Sequence, residues 1–379
     1  MKLHSLVAWL VIGVIALAGC TKSGSTGGGT PVPGGDSVSG KPGAPTTESG
    51  DTPVFSLSWS EYPSWSVFGV AHEMGLLDGE EGKLGDIENK YGVDVVLKEA
   101  QYDSCLNMFT SKNCDAVCMT NMDALIVSPN RDGIAVLPTS TSNGADACVV
   151  IGINNLDELK AHKVYGLEGT VSQYCFVRAI EEIEKEEKKG YNAADFQFSN
   201  QDPGVAASLM KGGEHKAIMV WNPFVLQTLK DKPDSKVLFD SSKIPGEIVD
   251  MVVVGRDVMD KPGAKAFVNA ILDTFYQMNE ELAKPESGDK ALVALGEKFS
   301  SLGLEEMKTV VQQTQFYKTP DEGAALLDSE EFKTTMKTVE KFCVDQGLVT
   351  DPQYGFGDEV GAKLVFDSSH IASLKGSSE

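Results

Sequence analysis

The run NCDAVCMTNMDAL (Asn113–Leu125) carries the reading of this chain. Its first half, CDAVCM, is a short apolar stretch of strand type, and its second half runs into ALIVS, the start of a helix. A lone acid, Asp123, stands at the switch with Met119 and Met122 close by. A strand that passes directly into a helix is one step of a βαβ chain, and ligands of open α/β sheets lie beyond the carboxyl ends of the strands. Asp123 is therefore a candidate ligand-binding residue. It is also suited to cap the helix that follows, and the sequence leaves both roles open.

The pattern repeats on either side. VFSLSWS (54–60) reads as a strand, followed by a helix near Ser66–Met74. GVDVVLKEA (92–100) is a second strand and YDSCLNMFTSK (102–112) a second helix; CDAVCM is the third strand and IAVLPTST (134–141) the fourth. This βαβα order predicts a largely parallel sheet with helices on its faces. A second unit follows: strand HKVYGLEG (162–169), a helix over 170–190, strand FQFSN (196–200), helix DPGVAASLMKGG (202–213) and strand KAIMVWNP (216–223). After KVLFDSS (236–242), the run VDMVVVGRDVMD (249–260) reads as a strand returning to the first sheet, and amphipathic helices fill about 261–347. The fold class is α/β, as two lobes of the type II periplasmic binding-protein kind: parallel-rich sheets, flanking helices and a hinge crossed twice. The expected boundaries are 52–145 with 248–347 for lobe I, 146–247 for lobe II, and a C-terminal extension over 348–379.

The beginning of the chain sets the expected compartment. Lys2 and His4 precede an apolar run of twelve, Leu6–Leu17, and LAGC (17–20) closes it. Such a run is too short for a permanent membrane helix, so 1–19 reads as a signal peptide. LAGC has the form of a bacterial lipobox, with Cys20 as the lipidated residue. Residues 20–51 are rich in Gly, Ser, Thr and Pro and lack aromatics, the composition of a flexible tether. The expected place is the cell envelope, lipid-anchored at the periplasmic or extracellular face of a bacterial membrane.

A formal charge of −22 argues against nucleic acid and anionic membrane surfaces as partners, leaving the lipid as the membrane contact. Six cysteines remain beyond Cys20: Cys105, Cys114, Cys118, Cys148, Cys175 and Cys343. Six allow fifteen full pairings, so no disulfide pattern follows. Cys114 and Cys118 lack a second close pair or a histidine cluster, and neither metal nor cofactor is expected.

Three tryptophans fall at predicted strand ends or in the turns after them: Trp59, Trp65 and Trp221. Acids occupy the same class of position: Asp123, Asp146 in TSNGADACVV, and Glu168 at the end of VYGLEG. Asn121, Asn143 and Asn222, from the same segments, complete the candidate ligand set. No Arg or Lys occurs in WSEYPSW, MTNMDAL, TSNGADA or VWNP. Aromatic faces with carboxylates suit a compact cation, whereas an anion needs a basic residue or a bare helix N-terminus.

NCDAVCMTNMDAL, TSNGADACVV, KVYGLEGTVSQYCFVRA and AIMVWNP, in this order, resemble the nitrate/taurine-type (SsuA-like) ABC-transporter substrate-binding proteins. The chain is most similar to the branch linked with urea-carboxylase-related gene clusters. That resemblance implies a monomeric, non-enzymatic receptor for a guanidine- or urea-like solute, with ABC permease and ATPase subunits as partners. It maps Trp59, Asp123, Asp146, Glu168 and Trp221 onto pocket positions. A sulfonate, nitrate or pyrimidine ligand on the same receptor is the alternative, followed by a pyrimidine-synthesis enzyme. For an enzyme, neither G-x-S-x-G nor H-E-x-x-H is present, and the five histidines form no cluster in sequence.

Overall fold

The computed structural model describes residues 52–299, 302–359 and 361–375. The signal peptide, the tether through residue 51 and the lipidation residue Cys20 lie outside the described residues. The chain opens with β1 (Val54–Trp59), α1 (Pro63–Glu73), α2 (Asp86–Tyr91) and β2 (Asp94–Glu99). Next come α3 (Tyr102–Thr110), β3 (Ala116–Thr120), α4 (Asn121–Val127) and β4 (Gly133–Thr141). A second unit holds β5 (Asp146–Ile151), α5 (Leu156–Leu159), β6 (Lys163–Gly166), α6 (Val171–Glu187) and β7 (Gln197–Asn200). It finishes with α7 (Pro203–Gly212), β8 (Ala217–Trp221), α8 (Phe224–Asp231) and β9 (Ser235–Asp240). The chain then returns through β10 (Val249–Gly255) to α9 (Ala264–Leu282), α10 (Ser287–Phe299) and α11 (Leu304–Thr314). It ends with α12 (Pro320–Asp328), α13 (Glu330–Asp345), β11 (Tyr354–Phe356), β12 (Leu364–Phe366) and α14 (Ser369–Lys375).

Two sheets result. The first runs β11-β12-β4-β10-β3-β1-β2 and the second β7-β6-β8-β5-β9. Strands β3 and β10 are buried along their whole length, as expected of strands covered on both faces, which read as near-continuous apolar runs. Helix α9 supplies one cover, with Phe267 stacked on Phe55 of β1 at 4.7 Å between ring centroids.

The sheets are mostly parallel, with one reversed strand each. β10 is antiparallel to both β3 and β4, and β5 is antiparallel to both β8 and β9. These are the strands that follow the two crossings between lobes. A chain that leaves the carboxyl end of one sheet and enters the other directly must arrive from the cleft side, so its first strand runs against its neighbours. The reversal places the first residues of β5 and β10, including Asp146 and Asp250, at the cleft.

Three expectations change. Helix α1 begins at Pro63, not near Ser66, because proline suits the first helical turn where its missing N–H is no loss. Trp65 therefore sits inside α1 and not in a turn. The segment after 347, expected as an extension, is joined to the first sheet: β12 pairs with β4, and β11 with β12. The anchor is aromatic, with Phe332 of α13 packed edge-on against Phe366 at 5.0 Å.

The two crossings are bonded to each other. Ser142 and Ser241 hydroxyls lie 2.7 Å apart, and the Gly144 N–H donates to Ser241 Oγ at 2.8 Å. Gly144 has φ +97°, a left-handed conformation that an L side chain strains to adopt. Asn121 pins the second crossing, donating through Nδ2 to the Glu247 carbonyl and accepting through Oδ1 from the Val249 N–H, both at 3.1 Å. Glu247 is held in turn by Arg178 of α6 through two bonds of 2.8 and 3.0 Å and by the Tyr174 hydroxyl at 2.7 Å.

All six cysteines among the described residues are buried free thiols. Burial pushes the Cys105 thiol up to about 11 and Cys114 and Cys343 up to about 12, which keeps them un-ionised and poorly nucleophilic. No group of three or more His, Cys, Asp or Glu among the described residues is arranged to hold a metal ion.

Candidate functional site

Between the lobes lies a small, tightly closed cavity, with about 230 Å³ of empty space when counted out to solvent. Lobe I supplies Tyr62 and Trp65 from the start of α1, Tyr102 from the first position of α3 and Thr120 from the end of β3. Lobe II supplies Asp146, Val171 at the start of α6, and Trp221 at the end of β8. Ile248 and Asp250 close it from the second crossing and β10. The rings form one wall. Trp65 stacks on Tyr102 at 5.4 Å, Tyr62 leans on Trp65 at 4.9 Å, and Trp221 meets Tyr102 edge-on at 5.7 Å. The Trp65 Nε1–H is buried without a hydrogen-bond partner.

Against this wall stand buried carboxylates. Asp146 is 2 % exposed and Asp250 1 % exposed, and both line the cavity. Asp250 Oδ2 lies 2.6 Å from the Ser140 hydroxyl, which lies 2.8 Å from Ser64 Oγ, which lies 2.9 Å from Thr139 Oγ1. An ionised carboxylate only accepts, so this hydroxyl chain donates toward Asp250. Neither acid has an ion-pair partner among the described residues, and no Lys, Arg or His lines the cavity. Burial raises the pKa of Asp146 to about 7, with the charges of Asp123 and Asp240 adding to it. Burial, and then the Asp146 charge, raise that of Asp250 well above the ordinary carboxylate value. The Tyr62 hydroxyl, buried beside Asp250 and Asp146, is pushed well above its own.

Asp123 stands one layer back. The Tyr102 hydroxyl donates to Asp123 Oδ2 at 2.7 Å and accepts from the Thr120 N–H at 3.0 Å, so Tyr102 and Thr120 separate the acid from the cavity. The helix-cap question resolves in favour of Thr120, whose side chain accepts from the Asp123 N–H; Asp123 is the third residue of α4 and accepts from Thr120 Oγ1 at 2.8 Å. Burial raises Asp123 to about 6, while bonds from Tyr102, Thr120 and the Val171 backbone pull the other way. Val171 opens the seventeen-residue α6, so the helix N-terminus an anion would seek already faces a protein carboxylate.

The remaining expected residues divide. Trp59 is buried at the end of β1 but is not among the cavity-lining residues. Glu168 is exposed, its backbone N–H bonded to Asn200 Oδ1 at 3.0 Å, and lies outside the lining. Strand β6 ends two residues before it, so the carboxylate falls on the loop rim. Asn121 and Asn143 belong to the hinge, Asn143 through its N–H to the Gln313 carbonyl at 2.8 Å. Asn222 bridges the lobes, with Nδ2 donating to Gln313 Oε1 at 2.8 Å. Trp221 does so as well, its Nε1–H donating to the Glu61 carbonyl at 3.2 Å. Tyr62, Tyr102, Thr120, Val171, Ile248 and Asp250 line the cavity as well, and none of them belongs to the set expected from the sequence. Asp250 carried a usable signal: it is the lone acid in the apolar run VDMVVVG.

No protein-family model and no curated protein matches the sequence. Solved structures do match in shape. The alkanesulfonate-binding protein SsuA of Xanthomonas axonopodis pv. citri, bound to MOPS, superposes with TM-score 0.63 at 13% identity over 80% of this chain and 96% of its own. The aliphatic sulphonate-binding SsuA of Escherichia coli gives 0.61 at 16% over 79% and 89%. The nitrate-binding protein NrtA of Synechocystis PCC 6803 gives 0.60 at 11% over 87% and 90%. The chain therefore has the two-lobed α/β fold of these periplasmic sulfonate- and nitrate-binding proteins.

Proposed function

We propose that this protein is the extracytoplasmic solute-binding component of an ABC importer, taking up a small guanidine- or urea-like solute, with a cation such as guanidinium fitting the site best. The solute is enclosed between the lobes and passed to permease and ATPase subunits without being chemically changed. The receptor acts as a monomer held to the membrane by lipid on Cys20. One observation carries the ligand class: Asp146 and Asp250 are buried in an aromatic cavity with no basic residue in its lining. An unpaired buried carboxylate costs several kcal/mol, about 3–5 when its partner is missing, so such a pair is best matched by a cation. Guanidinium is planar and weakly hydrated, donates in a fork that fits carboxylates, and stacks on aromatic faces.

The sulfonate or nitrate reading draws on the ligands named for the structural neighbours. The lining chemistry weighs against it here, because an anion would meet two buried carboxylates. A thermal-shift panel of guanidinium, urea, aminopyrimidine, taurine and nitrate on the mature protein separates these readings. A rise in melting temperature with guanidinium-type solutes and none with taurine or nitrate is expected. The reverse pattern overturns the proposal.

A further inference from the structure

A second hollow opens at the mouth of the cleft, with about 850 Å³ of empty space counted out to solvent. It shares Tyr102 and Trp221 with the inner cavity, so one aromatic wall has a chamber on each side. Lobe I contributes Ser60, Glu61 and Glu99, and lobe II contributes Asp202 and Phe224. The three acids face one another across the closing lobes, and none has an ion-pair partner among the described residues. Asp202 is committed through Oδ1 only to the Val205 N–H at the start of α7, at 3.0 Å. A separate feature also calls for a ligand: the Ser60 hydroxyl is buried, 4 % exposed, lines this hollow and has no hydrogen-bond partner.

Resting on the cation reading of the inner cavity, we infer that the hollow is an outer subsite for a second cationic group, so that the preferred solute is elongated and doubly charged. A guanidinium-type head occupies the inner cavity, an alkyl stem passes the Tyr102–Trp221 wall, and a terminal ammonium lies among Glu61, Glu99 and Asp202. The ammonium offsets like charges that closure brings together, which a single small cation in the inner cavity leaves facing one another. Glu61 registers that crowding: burial, then the charges of Glu99 and Asp202, raise its pKa to about 7.

Isothermal titration of the mature protein with guanidinium, butylguanidine and a series of aminoalkylguanidines tests this. The best-fitting aminoalkylguanidine should bind on the order of tenfold more tightly than butylguanidine, the worth of one charge-assisted contact. In the Glu99→Gln/Asp202→Asn double variant, where asparagine keeps the helix-capping oxygen, that advantage should vanish while guanidinium affinity stays within about twofold. Guanidinium binding with no gain from the amine at any chain length overturns the outer subsite and leaves the inner one standing. An amine gain that survives the double variant also overturns it. Absence of binding by every cation overturns both readings together.

Discussion

Asp146 and Asp250 stand at matching places in the two lobes, each in the first two residues of the one strand that runs against its sheet. Asp146 is paired in register with Trp221, and Asp250 with Thr120, so each acid is brought to the cleft beside a residue at the end of a neighbouring strand. The double crossing of the chain thus delivers two carboxylates to one cavity from opposite sides.

Removing either charge should cost binding. Asp146→Asn and Asp250→Asn are each expected to weaken guanidinium affinity by roughly 10- to 100-fold, the loss of a hydrogen bond to a charged group. The same variants should raise the melting temperature of the ligand-free protein, because asparagine avoids the cost of a buried, unpaired charge. Titration calorimetry and thermal melts check the two directions separately.

Acidity should act oppositely on stability and on binding. Asp123 and Asp146 are raised to about 6 and 7 in the folded protein, and Asp250 is raised as well. Groups raised on folding stabilise fully below their unfolded value, near 4, and lose that contribution as pH rises through the folded value. The ligand-free protein should therefore lose stability from about pH 4 to 7 relative to Asp146→Asn, read as the difference between their melting curves. Cation affinity should run the other way, falling by up to about tenfold per pH unit below about 7 for each proton displaced.

Asp123 should matter less to the ligand than Asp146. It reaches the cavity through Tyr102, Thr120 and the Val171 backbone, so Asp123→Asn is expected to reduce affinity by a few-fold at most, at the scale of about 0.5–1 kcal/mol. Tyr102→Phe leaves the Thr120 N–H without its acceptor and removes one of the donors to Asp123, and should destabilise the fold by about 1–3 kcal/mol. Denaturant unfolding measures this. Equal binding losses for Asp123→Asn and Asp146→Asn would contradict the layering.

Closure has its own contacts, the Trp221 Nε1–H to the Glu61 carbonyl and Asn222 Nδ2 to Gln313 Oε1. Trp221→Phe keeps a ring in the wall but deletes the first contact. It should speed ligand release by roughly fivefold, about 1 kcal/mol, with association little changed. Stopped-flow dissociation checks it, and an unchanged release rate would remove Trp221 from the latch.

Much of this architecture was legible in the residues. Alternating apolar strands and helices gave the α/β class, and the strand-end rule picked out Trp65, Asp146 and Trp221, which line the cavity. The same rule placed Trp59 and Glu168 there, and they are not in the lining. Position along a strand does not say which way the last side chain points, and Glu168 lies two residues beyond its strand on the rim. Asp250 was passed over because its strand reads as core; only the reversal of β10 brings the beginning of that strand to the cleft. The mediation of Asp123 by Tyr102, from a residue 21 positions away, is a tertiary contact that local pattern does not encode.

Proton linkage tests the cation site most directly. Calorimetric titration of guanidinium near pH 6.5, repeated in buffers of different ionisation enthalpy, counts the protons exchanged on binding. A cation entering beside Asp146, raised to about 7, and Asp250, raised well above the ordinary carboxylate value, should release protons on binding, the share from Asp146 fading as pH rises past 8. Binding of taurine or nitrate with proton uptake, and no release with guanidinium, would contradict the reading of this cleft.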